Sequence, residues 1–517
     1  MTTYRWPRAC GLLLHPTSLP GPDGIGTLDG HLEQWLDFLA AAGQTYWQIL
    51  PLVPTGYGDS PYAGLSAFAG NPLLIPSETL VELGLVPRQR LHERPPFSEQ
   101  RVDYGAVITW KQRLLAEAFE RFAAAAPDAW RADFEAFCAA EADWLTDYAL
   151  FRALKDAHGG RAWHTWPPEL RDRKPAALEA ARRNLSTAVA SHQFQQWLFF
   201  RQWQRTREAC HRRGIRIIGD APIFVAYDSA DVWANRELFK LDAEGRPTHV
   251  AGVPPDYFSA TGQLWGNPLY RWQRMADDGF GWWLARMRHL FRLVDVVRLD
   301  HFRGFAACWT IPADAPTAAT GRWVKTPGRK LFTAMRRTFG VLPIIAEDLG
   351  VITPDVVALR DAFGFPGMRV LQFAFGGDPN NQDLPHNYVP NAVVYTGTHD
   401  NDTTVGWYAS RPGVGSTRDA EGIERERAFC RAYLNTNGAE IHWDFIRAAY
   451  ASVAHTAIVP MQDVLGLGSE GRMNLPASER GNWSWRCRRE DFTASAAKRL
   501  RELAYLYGRL PGSSGSD

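Results

Sequence analysis

The sequence predicts an α/β fold, a (β/α)8 TIM barrel carrying inserted, largely helical subdomains. About eight short apolar runs, centred near residues 12, 47, 217, 297, 344, 370, 394 and 458, alternate with segments of helical periodicity. Polar residues follow the carboxyl ends of many of these runs, as they do in a barrel whose site is built from the loops after the strands. No Gly-x-Gly-x-x-Gly turn opens a helix after the first run, which disfavours a doubly wound open sheet.

Residues 11–14 form the first apolar run, ended by a loop rich in Pro and Gly. Leu32, Trp35, Leu36 and Leu39 then recur at helical spacing, Gly43 closes the helix, and residues 45–50 are the next strand, completing a βαβ unit. The loop at 55–62 holds too much Gly, Tyr and Pro for regular structure. A long excursion follows, with apolar residues at i, i+3 and i+4 over 110–119, 144–154 and 194–212, and it reads as an inserted helical subdomain. The strand pattern resumes at 213–220 and recurs at 294–300, 342–347, 367–375, 392–396 and 456–461. The expected organisation is one catalytic barrel over 1–510, interrupted at about 65–205 and about 228–290, with a disordered tail at 511–517.

Charge excludes some partners. The chain of 517 residues carries 57 Lys+Arg against 56 Asp+Glu and no long basic block to track phosphates, so nucleic acid is not an expected partner. Cys10, Cys138, Cys210, Cys308, Cys430 and Cys487 lie far apart without zinc-site spacing, as expected of reduced thiols in a cytoplasmic protein. The residues after Met1 lack the apolar core of a signal peptide, and no stretch matches a membrane span, so no membrane association is expected.

The most informative stretch is 295–305. Val296, Val297 and Leu299 give it strand character, and the period of two places Arg298 and Asp300 on one face. Two charges at the end of an apolar strand are costly to bury unless they pair or face a cleft, so the alternatives are a structural ion pair and a site. Glu347 and Asp400 recur in the same context, at intervals of 347 − 300 = 47 and 400 − 347 = 53 residues, which suit one or two βα units. A barrel would bring all three acids to one mouth. Clustered carboxylates cannot all ionise cheaply, so one should stay protonated near neutral pH. Glycoside chemistry needs that division between an attacking or stabilising carboxylate and an acid for the leaving oxygen. A Mg²⁺ or Ca²⁺ site is the main rival, although such sites show denser Asp/Asn spacing. Asp348, alternating away from Glu347, reads as structural.

Seven motifs, in order, carry a resemblance. Gly-Asp-Ser-Pro-Tyr at 58–62, Ser-Ala-Phe-Ala-Gly-Asn-Pro at 66–72, Gly-Val-Pro-Pro-Asp-Tyr-Phe at 252–258, Gln-Leu-Trp-Gly-Asn-Pro at 263–268, Arg-Leu-Asp-His-Phe-Arg-Gly at 298–304, Ala-Glu-Asp-Leu-Gly at 346–350 and Thr-Gly-Thr-His-Asp-Asn-Asp-Thr at 396–403 resemble the 4-alpha-glucanotransferases, or amylomaltases, of glycoside hydrolase family 77. The resemblance implies that Asp300 is the nucleophile of a covalent glucosyl-enzyme, Glu347 the acid and then base, and Asp400 the carboxylate that grips the distorted sugar. It also implies that Arg298 and His399 orient the sugar and nucleophile, that Asp220 holds donor hydroxyls, that Tyr62 stacks on the reacting ring, and that Trp265 and Phe258 line the acceptor side. Tyr57, Ser60, Tyr104, Asp256, His301, Phe373, Asp378 and Asn474 complete the implied substrate-binding set. Two departures stand out: Gly376 and Gly377 precede Asp378 where relatives place an acid sooner, and Leu-Pro-Ala-Ser at 475–478 replaces an expected Pro-Gly-Thr.

A sugar offers an apolar C–H face and a rim of hydroxyls, so aromatic platforms beside Asp, Asn, Arg and His suit it. The substrates that the resemblance implies are α-1,4-glucans, maltooligosaccharides and glucose, and the expected enzyme is a monomer or weak homodimer without cofactor or metal. An α-1,4-glucan hydrolase with the same site, and a non-catalytic glucan-binding protein, are the alternatives.

Overall fold

The computed structural model describes residues 3–255, 261–413, 419–476, 478 and 481–512. Twelve strands are present among them. They are β1 (Ala9–Leu13), β2 (Tyr46–Gln48), β3 (Arg216–Ala221), β4 (His249–Val253), β5 (Gln263–Pro268), β6 (Val296–Leu299), β7 (Ala307–Pro312), β8 (Arg322–Lys325), β9 (Ile344–Ala346), β10 (Gly367–Val370), β11 (Ala392–Tyr395) and β12 (Thr456–Pro460). Eight of them form one parallel sheet in the order β10-β11-β12-β1-β2-β3-β6-β9, matching the eight apolar runs. The two ends meet where the N–H of Ala346 donates to Pro366 O at 3.0 Å, bringing the sheet nearly to a closed barrel.

Period-two alternation decides what faces inward. Leu13, Tyr46, Ile218, Val296, Ile345, Val393 and Ile458 pack together inside the barrel, whereas Leu12, Trp47, Ile217, Val297, Ile344 and Val394 pack outward against helices. The same alternation carries Gln48, Asp220, Arg298 and Tyr395 onto the inner face near the strands' carboxyl ends, where β3 and β6 pair in the register Asp220↔Arg298. A polar layer therefore sits on an apolar one.

Between β2 and β3 the chain is largely helical, with Tyr104–Ala125, Asp128–Ala140, Ala142–Ala157 and Ser186–Arg212 as its longest members. Asp103 caps the first of these by accepting the Ala106 N–H at 3.1 Å. Ser186–Arg212 buries Trp197, Phe199 and Trp203 and returns the chain to the barrel at β3.

The structure adds a feature that periodicity did not reveal. β5, β4, β7 and β8 form a separate antiparallel sheet in that order, drawn from the segments after β3 and β6. Gly252, Gly266 and Pro268 interrupt its alternation, and the register shifts between Val250 and Gly252, so no run of period two is long enough to be read. The strand expected over 367–375 also ends sooner, at Val370, and passes into a turn at Leu371–Phe373.

Candidate active site

Asp220 closes the inner face of β3 and is buried; Arg298, one strand over, is buried beside it. Arg298 Nη1 donates to Asp220 Oδ2 at 2.7 Å and to Asp300 Oδ1 at 3.0 Å, so one guanidinium joins two acids from neighbouring strands. Burial, with Asp300 adding, pushes Asp220 up to about 6 against the pull of Arg298.

The chain turns sharply after Asp300. His301 takes a left-handed conformation, φ 50°, which is strained for a residue with a Cβ. That turn aims the His301 N–H at Glu347 Oε2, 2.7 Å away, while the Leu349 N–H reaches Oε1 at 2.9 Å. Glu347 is nevertheless pushed up to about 8, by burial first and by the charge of Asp300 second, against Arg298 and the two amides. It holds a proton at neutral pH. The His301 imidazole is pushed the other way by burial, to about 4, so it is neutral; the Trp265 ring meets it edge-on at 4.8 Å.

Asp400 follows β11 in the turn of residues 398–402 and is the most open of the three acids, its side chain 47% exposed. Asn474 Nδ2 donates to its Oδ1 at 2.6 Å, His399 Nε2 lies 3.4 Å from its Oδ2, and Arg472 holds its backbone oxygen at 2.8 Å. Beneath, buried Asp463 accepts from Thr396 Oγ1, Thr404 Oγ1 and the Thr404 N–H at 2.5, 2.8 and 2.7 Å, clamping both ends of the turn.

Tyr62 crosses the mouth. Its hydroxyl donates to Asp220 Oδ2 at 2.9 Å and its ring lies parallel to His399 at 5.0 Å, with Trp483 tilted beside both. Ser60 accepts the Tyr62 N–H at 3.2 Å. The structure thus brings together Ser60, Tyr62, Asp220, Arg298, Asp300, His301, Trp265, Glu347, His399, Asp400 and Asn474 through contacts that connect them.

Tyr104 is placed differently. Its ring is buried and its hydroxyl donates to Trp483 O at 3.0 Å, so it supports Trp483 from behind. Phe373 stands exposed in the turn after β10, and Asp378, further along that loop, accepts the Asn380 N–H at 2.9 Å. Asp256 and Phe258 lie outside the described residues, as does the side chain of Tyr57.

Sequence reasoning missed several members. Gln48 accepts the Tyr395 hydroxyl at 2.8 Å inside the barrel, and burial, aided by His399, pushes His15 to about 3 while its Nδ1 accepts the Leu50 N–H. Polarity on an inward strand position was a usable signal for Gln48. Trp483, Arg472 and Asp463 come from the chain's last fifth and carried no local pattern. Among the described residues no group of three or more His, Cys, Asp or Glu is arranged to hold a metal ion, and no helix is long and apolar enough to cross a membrane.

A buried protonated acid, an ion-paired carboxylate one strand away and a third carboxylate under a shared aromatic wall can divide the work of cleaving an acetal bond. The family model described as 4-alpha-glucanotransferase matches residues 14–492. A 4-alpha-glucanotransferase of Thermus thermophilus is 54% identical over 512 residues, covering 98% of this chain and 99% of the relative. That of Synechocystis sp. is 50% identical, covering 97% and 98%. Among solved structures, an amylomaltase from Streptococcus agalactiae in complex with acarbose superposes with a TM-score of 0.92 at 38% identity, covering 97% of this chain and 99% of that one.

Proposed function

The chain belongs to the 4-alpha-glucanotransferase family, glycoside hydrolase family 77, and from that premise we propose that its barrel mouth performs a retaining, double-displacement transfer of α-1,4-glucan segments. The observation that carries the assignment of roles is the contrast between Glu347, pushed up to about 8, and Asp300, ion-paired to Arg298 at 3.0 Å. The Asp300 carboxylate attacks the anomeric carbon while the Glu347 carboxyl gives its proton to the departing 4-oxygen. A covalent glucosyl-enzyme and a shortened glucan result. Glu347, now ionised, takes the proton from the 4-hydroxyl of an incoming glucan or glucose, whose oxygen attacks the same carbon and frees Asp300. Two inversions leave the α-configuration unchanged.

The other residues serve this sequence. Asp400 grips the hydroxyls of the distorted ring, positioned by Asn474 and His399. Tyr62 supplies a stacking face and, with Asp220, fixes the donor sugar; Trp265 forms part of the acceptor wall. Tyr57, Ser60, Tyr104, Asp256, Phe258, His301, Phe373 and Asp378 extend the glucan path in this reading. In this reading the enzyme acts as a monomer or weak homodimer on maltooligosaccharides. Six free thiols support a reducing, cytoplasmic setting. The barrel with its insertions at about 65–205 and 228–290 is taken as one catalytic domain.

Incubation with maltotriose tests the proposal. A ladder of longer oligomers at constant reducing-end count is expected, and rising reducing ends without longer products would overturn transfer in favour of hydrolysis. Asp300→Asn should lower turnover by several orders of magnitude, because the covalent step is lost. Near-normal turnover of that variant would sink the nucleophile assignment.

A further inference from the structure

Among the described residues, β9 and β10 end the sheet order, and the seam between them lacks a strand ladder. There the N–H groups of Met368 and Val370, two positions of like parity on β10, donate to side chains: Met368 to Asp348 Oδ1 at 2.7 Å and Val370 to Asp383 Oδ1 at 2.9 Å. Two carboxylates stand where strand carbonyls would be. Asp348 is 3% exposed, and its other oxygen takes Arg360 Nη1 at 2.5 Å. Gly367 makes room for this wedge, since a Cβ there would overlap Asp348 Oδ2.

Asp348 is also the residue between Glu347 and Leu349, whose N–H closes back on Glu347 Oε1 at 2.9 Å. The direction of the Leu349 N–H follows from where the backbone at 348 is held. Backbone hydrogen bonds hold Glu347 itself, its N–H on Leu299 O at 3.1 Å and its O under the Phe302 N–H at 3.0 Å, and beyond it the Asp348 carboxylate ties the loop into the wall. We infer that Asp348 is a positioning residue for Glu347, anchoring the peptide that presents the Leu349 N–H and so aiming the carboxyl. The inference rests on the proposed acid–base role of Glu347.

Loss of the anchor has a signed consequence. A hydrogen bond to a carboxylate favours its charged form, so freeing the Leu349 N–H should raise the titration of Glu347 further. The charged and titratable groups facing Glu347 are Arg298 and Asp300 from β6 and its turn, with neutral His301, and none of these changes in the variants below. Removing the negative charge of Asp348 would by itself act the other way, so an upward shift reports geometry.

The test compares D348N, which keeps an oxygen for Met368 but sets an amide against Arg360, with G367A, which keeps every charge but drives the Asp348 carboxylate out of the seam. For both, kcat on maltotriose should fall about 10- to 100-fold with KM within about twofold, and the alkaline limb of kcat should move to higher pH. D383N, which disturbs the same seam away from Glu347, should lower thermal stability and leave that limb in place. Should D348N not fold, G367A carries the same readouts. Limbs unmoved in the folded variants, or a D383N profile shifted as far as theirs, would reduce Asp348 to a structural residue. E347Q separates the two readings. If it is inactive and the seam variants are neutral, only this inference fails; if it is active, the acid–base assignment fails first.

Discussion

One nitrogen of Arg298, Nη1, sits 2.7 and 2.9 Å from the two oxygens of Asp220, both side chains being buried at the top of the barrel interior. The same nitrogen reaches Asp300 at 3.0 Å, which makes Arg298 the electrostatic keystone of two acids. Replacing it by a neutral side chain of similar length leaves Asp220 buried without its cation. R298M should therefore be destabilised by about 3–5 kcal/mol near pH 8, as for other broken buried ion pairs. The sign with pH follows: without Arg298 the folded-state titration of Asp220 rises above its present value of about 6, so stability is kept in acid and lost as pH climbs through the raised value. Thermal melts at pH 5 and pH 8 check this, and a deficit that shrinks with pH would contradict it.

Glu347 predicts a trade between activity and stability. Burial first, and the charge of Asp300 second, push its carboxyl up to about 8, well above the ordinary glutamate range. Its contribution to stability is fully present below the unfolded value and is lost as pH rises through about 8. Gln does not titrate, so E347Q should gain stability relative to the parent between about pH 5 and pH 8, and the gap should level off above that range. Its turnover should fall about 10²- to 10⁴-fold, the span of general acid–base catalysis. Denaturant midpoints across pH, beside maltotriose kinetics, measure both.

Tyr62 makes two separable contacts, its hydroxyl on Asp220 and its ring on His399. Y62F removes only the hydroxyl on Asp220 and should lower kcat/KM about tenfold or less, the scale of one hydrogen bond. Y62A also removes the ring that stacks on His399 and should cost about another tenfold or more. Equal losses would show that the ring contributes nothing to substrate binding.

Far from the mouth, Arg509 is buried beneath the barrel and donates to six backbone oxygens, those of Ala9, Ala449, Tyr450, Ser452, Ala454 and His455. These include the entry to β1 and the approach to β12, which pair with each other. R509A should destabilise the fold by about 3 kcal/mol or more, because buried carbonyls lose a charged donor. Once folded, the variant should keep its KM for maltotriose. Equilibrium unfolding and kinetics on the same preparation distinguish these effects.

Much of this molecule was legible in local patterns, because the relevant physics is local. Apolar runs of strand length located all eight barrel strands, and alternation alone put Arg298 and Asp300 on one face. Where alternation failed, at Gly252 and Gly266, the antiparallel sheet went unread. The resemblance named residues that no periodicity could reach, including Asn474.

What the sequence determined by itself is the inventory: eight strands, an acid after each of three of them, and a barrel to gather those acids. Only the tertiary structure decided the partners. Arg298 turned out to serve Asp220 as well as Asp300, Asn474 met Asp400 across 74 residues, and Asp348 filled a gap that exists only because β9 and β10 do not pair. The physical reason is one of range. Side-chain direction along a strand is set by the pleat two residues at a time, whereas which charges meet across a barrel mouth depends on closure, register and the loops between distant strands. The same holds for the proton on Glu347, which burial from every side and the charge of Asp300 impose together.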